Sequence, residues 1–110
     1  MNNGEDFERR RYKRVMAPIF YRTPRIFSRK RRIANISLGG VRIYSDEDLK
    51  VGKRLELEFF LPDGNSIRAL ARVVWTETLP SDADAVYDIG LEFIELSEVA
   101  MNELKKVLEK

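Results

Sequence analysis

Between Arg54 and Trp75 the chain spells out two strands and the turn between them. Leu55, Leu57 and Phe59 alternate with Glu56 and Glu58, the period of a strand with one buried face. Pro62-Asp63-Gly64-Asn65 follows, a turn by the backbone preferences of each of its residues. Ile67 to Trp75 returns as another strand, with Ala69, Ala71 and Val73 on one side and Arg68, Leu70, Arg72 and Val74 on the other. Trp75 closes this apolar run, so its expected place is the core.

The rest of the chain continues in short extended pieces. Val15 to Tyr21 is a first apolar run, interrupted by Pro18, and Thr23-Pro24 marks a turn. From Arg25 the residues alternate without a clean face, with Lys30, Arg32, Ala34 and Ile36 on one side and Arg31, Ile33 and Asn35 on the other. Val41 and Ile43 alternate with Arg42 and Tyr44, and Val86 to Ile94 forms a last strand that contains Gly90. Ser97 then offers a helix N-cap, followed by Ala100, Met101, Leu104, Val107 and Leu108 at helical spacing, with lysines late in the segment. The expected fold is mainly β, a six-stranded antiparallel β-barrel with a C-terminal α-helix. Residues 1–8 read as a flexible polar leader and residues 9–110 as a single domain.

Composition excludes whole classes of chemistry. The 110 residues contain no Cys and no His, which rules out disulfides, thiolate or imidazole zinc sites and histidine general bases. Ser37 therefore has no histidine to activate it, and Asp46-Glu47-Asp48 reads as a polar loop, because contiguous carboxylates cannot all turn inward. The expectation is a protein that is not an enzyme and holds no metal. Apolar runs fall far short of a membrane span, and the N-terminus does not resemble a signal peptide, so a cytoplasmic location is expected. The net charge of +2 conceals a block from Arg9 to Arg32 with eleven Lys or Arg and no acidic residue. Such a block suits an anionic partner, although a charge run is often only a solvated face.

Two segments give that block a chemistry. Arg10-Arg11-Tyr12-Lys13-Arg14 sets two guanidinium groups four residues apart on a polar arm. Asn35-Ile36-Ser37-Leu38-Gly39-Gly40 is a short turn whose glycines leave backbone open to close approach. Arginine forks match phosphate oxygens and the O6/N7 edge of guanine, and Asn and Ser add short-range donors and acceptors. The pair describes a clamp for guanine and phosphate. The bland alternatives are a solubilising tail and a turn in which Asn and Ser bond their own backbone.

The pattern Arg-x-x-x-Arg followed by Asn-x-Ser-x-x-Gly resembles the PilZ domain family, bacterial receptors for cyclic di-GMP. Leu49-Lys50-Val51-Gly52, Ala71-Arg72-Val73-Val74-Trp75 and Tyr87-Asp88-Ile89-Gly90-Leu91-Glu92-Phe93 are similar to the family's later strands in order and spacing. The resemblance implies a six-stranded barrel with a C-terminal helix, and cyclic di-GMP held by Arg10, Arg14, Asn35, Ser37, Gly39 and Gly40. It further implies an arm that is mobile when free and wraps over the ligand. Arg9, directly before the first motif, implies an intercalated pair of ligand molecules. As a sensor without an output module, the domain would act through an unidentified downstream protein. One rival is a ligand-independent adaptor with the same fold. A less favoured rival is a basic nucleic-acid-binding barrel, which would need exposed aromatics beside the basic strand, and the sequence offers no clear set of these.

Overall fold

The structure, a computed structural model, describes residues 14–23 and 30–109. The leader, Arg9, Arg10 and the turn expected at Pro24 lie outside the described residues. Seven strands form one antiparallel sheet: β1 (Phe20–Arg22), β2 (Arg31–Arg32), β3 (Asn35–Ile36), β4 (Gly40–Ser45), β5 (Arg54–Phe60), β6 (Ser66–Thr78) and β7 (Tyr87–Leu96). A single helix, α1 (Glu98–Leu108), follows. The sheet order β2-β1-β5-β6-β7-β4-β3 makes it a curled half-barrel with two edges, not the closed six-stranded barrel expected.

The difference arises in one run of residues. Arg31 to Ile36 supplies both edge strands, because β2 pairs with β1 while β3 pairs with β4. Ile33 donates its N–H to the Ile19 carbonyl at 3.0 Å, and the next residue, Ala34, donates to Arg42 at 2.9 Å. The run changes partner at that peptide. Ile33 and Ile36 are both buried although strict alternation would put them on opposite faces, so the bend at Ala34 resets the parity.

The hairpin of β5 and β6 pairs in register from Arg54↔Arg72 to Phe60↔Ser66, and Gly64, at φ +92°, supplies the left-handed residue of its turn. Leu57, Phe59, Ala69, Ala71 and Val73 point inward to meet Ile36, Val41, Ile43 and Leu91, all nearly free of solvent. β6 runs on to Thr78, and irregularities at Leu70/Ala71 and Val73/Trp75 let it curl along β7. Helix α1 starts where expected: the Ser97 hydroxyl accepts the Ala100 N–H at 3.0 Å, and Ala100 and Leu104 dock on the core. Among the described residues, no helix is long and apolar enough to cross a membrane.

Candidate functional site

Arg14 is the part of the first motif that the structure describes, and it lies against the second motif. Val15 makes an isolated bridge to Ile36, with N–H···O distances of 2.8 and 3.0 Å in the two directions. That bridge fixes the segment entering β1 alongside β3. Arg14 Nη1 then donates to Asn35 Oδ1 at 3.1 Å, joining residues twenty-one apart in the chain.

The turn from β3 to β4 holds itself together. Ser37 N–H donates to the Gly40 carbonyl at 2.9 Å, and the Ser37 hydroxyl accepts the Gly39 N–H at 3.1 Å. Ser37 is fully buried. The Gly39 carbonyl accepts from Phe93 N–H at 2.9 Å and so ties the turn to β7. Gly40 is needed for packing: a Cβ there would run into the Leu91 carbonyl oxygen. Gly40 and the Gly39 carbonyl thus hold β4 against β7, a role additional to any approach of ligand.

Cross-strand register extends the site over the outer face of the sheet. Asn35 stands opposite Arg42, Arg42 opposite Gly90, and Gly90 opposite Trp75, giving one row across β3, β4, β7 and β6. Directly paired residues share a face, so the row looks outward. Arg42 makes a bidentate pair with Asp88, Nε to Oδ1 at 2.9 Å and Nη2 to Oδ2 at 2.6 Å. Asp88 is buried, and these hydrogen bonds raise the Arg42 pKa further above its ordinary value. In the next row, Arg72 Nη2 meets Glu92 Oε2 at 2.5 Å, directly across from Gly40.

Trp75 corrects its sequence reading. Its indole is not in the core but lies on the outer side of Gly90, in the space a Cβ would occupy. Gly90 within a strand pattern was the available signal, since such a glycine marks close approach by another group. Arg42 carried no motif that set it apart, and Asp88 stood inside the Tyr87-to-Phe93 segment without being marked as a site residue. Among the described residues, no group of three or more His, Cys, Asp or Glu is placed to hold a metal ion.

The candidate site is a surface rather than a cavity. A concavity of about 1110 Å³ opens elsewhere, between Tyr21, Arg31, Asp46, Leu79 and Ala85. It contains no residue of either motif.

The family model of the PilZ domain matches residues 8–110. The chain belongs to the PilZ domain family. A sequence search among curated proteins gives no match. Among solved structures, this PilZ domain is similar to the Bacillus subtilis inhibitor of motility MotI/DgrA, with TM-score 0.74 and 22% identity over 92% of this chain and 50% of that one. Escherichia coli YcgR in complex with c-di-GMP gives TM-score 0.69 and 21% identity over 92% of this chain and 45% of that one. The K. pneumonia MrkH–c-di-GMP complex gives 0.71 and 17% over 90% and 50%. The chain therefore spans about half the length of these proteins.

Proposed function

We propose that this PilZ domain is a non-enzymatic cyclic di-GMP receptor. The observation that carries the reading is the 3.1 Å contact from Arg14 to Asn35, which brings the end of the arginine motif to the start of the Asn-x-Ser-x-x-Gly motif. Cyclic di-GMP presents two phosphodiesters and two guanines, a combination suited to several arginines beside short polar side chains. Two structural neighbours are complexes with that nucleotide.

In this reading Arg9, Arg10 and Arg14 close over the ligand. Asn35 addresses a guanine, Ser37 addresses a phosphate and keeps the turn in shape, and Gly39 and Gly40 admit the ligand to the backbone. The outer row supplies the floor, where Arg42 is fixed by Asp88 and the Trp75 indole offers an aromatic surface for a base. The arm, mobile without ligand, is ordered by it, and the change alters contact with a downstream protein in the cytoplasm. Arg9 adds a third guanidinium that helps offset the four phosphates of an intercalated ligand pair.

Calorimetric titration with cyclic di-GMP, GTP, GMP and a short oligonucleotide tests the reading. Binding of cyclic di-GMP alone supports it. No heat with cyclic di-GMP, or equal affinity for the oligonucleotide, overturns it.

A further inference from the structure

A second outward-facing surface lies on β1, β2 and β5, away from both motifs. Phe20 stands opposite Phe60 in the β1–β5 ladder and opposite Arg32 in the β1–β2 ladder, so the three side chains form one row on the outer face. Phe20 is 42% exposed. Lys30 Nζ sits 4.0 Å from the centroid of the Phe60 ring, and the Arg22 guanidinium carbon lies 5.2 Å from it. Arg22 also pairs with Glu58 at 3.0 Å, which satisfies the half-buried carboxylate. Lys30 and Arg32 are exposed and form no ion pair among the described residues. The result is an apolar ring flanked by two uncompensated cations.

We infer that this surface docks an acidic protein segment bearing an apolar side chain, which packs on Phe20 while its carboxylates meet Lys30 and Arg32. Charge complementarity selects an anionic partner, because among the described residues two unpaired cations and no unpaired carboxylate border the ring. The placement of Lys30 argues against a single-stranded nucleic acid. Stacking along a strand of bases needs successive open aromatic faces, and the Phe60 face already carries an ammonium group. Glu58 and the Glu56–Arg68 pair at 3.5 Å also interrupt the positive charge that a continuous line of phosphates would require. A peptide can space its carboxylates to fit.

The surface is connected to the nucleotide site by the chain itself. Phe20 follows Arg14 on a segment held by the Val15–Ile36 bridge and the Ile33–Ile19 hydrogen bond, and Arg32 lies on the run that supplies Asn35. The inference deepens the partner half of the proposed function, and its test uses no nucleotide, so the two readings can fail separately.

The test is an amide chemical-shift titration of the full chain with a short peptide alternating Asp and Leu, and with the same peptide carrying Asn for Asp. Parallel arms use oligothymidylate and vesicles of phosphatidylglycerol. The expected result is that the Asp peptide shifts Phe20, Arg22, Lys30, Arg32 and Phe60, with affinity falling about tenfold or more for the Asn peptide and in Lys30→Glu. Phe20→Ala should weaken binding similarly, and Lys30→Glu, at an exposed position, keeps the test valid if Phe20→Ala folds poorly. Shifts confined to other residues, equal affinity for the Asn peptide, or preference of this surface for oligothymidylate or vesicles would each overturn the inference.

Discussion

The indole of Trp75 occupies the space that a side chain at Gly90 would need. Each residue therefore constrains the other: Gly90 keeps the outer face open, and Trp75 covers the backbone exposed there. Gly90→Ala should cost about 1–3 kcal/mol, the usual penalty of overpacking. A lower melting temperature and altered tryptophan emission are expected, and the loss of melting temperature should be smaller when Gly90→Ala is made in a Trp75→Ala chain, which has no tryptophan left to report. A Gly90→Ala protein with unchanged melting and emission would contradict this packing.

Arg14→Ala should weaken cyclic di-GMP binding about ten- to a hundredfold, because a hydrogen bond from a charged group contributes about 1.5–3 kcal/mol. Arg10→Ala should act similarly. Melting of Arg14→Ala without nucleotide should hardly change, since Arg14 lies outside the core cluster. Calorimetry on both variants provides the check, and unchanged affinity in either would remove that arginine from the site.

Arg42→Ala leaves Asp88 buried without its guanidinium. The expected loss is about 2–3 kcal/mol of folding stability, discounted for the partial exposure of Arg42. Arg42→Met combined with Asp88→Leu should be less damaging than Arg42→Ala alone, because no unpaired charge remains. Denaturant unfolding of both variants and the unaltered chain measures this, and a double variant less stable than Arg42→Ala would show that the unpaired charge is not the cause.

Tyr21 adds a pH dependence at the alkaline end. Its hydroxyl donates to the Tyr44 carbonyl at 2.6 Å, and burial pushes its pKa from 10.0 up to about 12. The unfolded chain releases this proton first, so the contribution is whole below pH 10 and declines as pH rises toward 12. The loss should approach about 2–3 kcal/mol at the upper end. In Tyr21→Phe, that part of the stability-versus-pH profile should flatten; an unaltered slope would reject the assignment.

Stoichiometry tests Arg9. Titration at protein concentrations well above the dissociation constant should give two cyclic di-GMP molecules per chain, falling to one in Arg9→Leu. A ratio of one in the unaltered chain, with a monomeric complex, would dismiss the intercalated pair.

Period-2 patterning made the β5–β6 hairpin readable, because Leu57, Phe59, Ala69 and Ala71 keep strict alternation through it. The same rule failed at two places where the backbone breaks parity. Trp75 shares the parity of the buried Val73, so regular alternation places it inside; the irregularity at Val73/Trp75 turns it out. The bend at Ala34 likewise buries both Ile33 and Ile36 and splits one expected strand into two edges. Both motifs stood in the sequence as patterns. What no pattern could give was the meeting of Arg14 with Asn35, which depends on the bridge from Val15 to Ile36.

The brevity of β2 and β3 has a consequence for life at high concentration. Sheet edges invite other chains to add strands, and long flat edges seed fibrils. Here each edge strand is two residues long, and β2 consists of two arginines. Incoming backbone would find few donors and acceptors in line and would meet like charges from another copy. Edges this short and charged disfavour edge-to-edge addition of another copy's sheet.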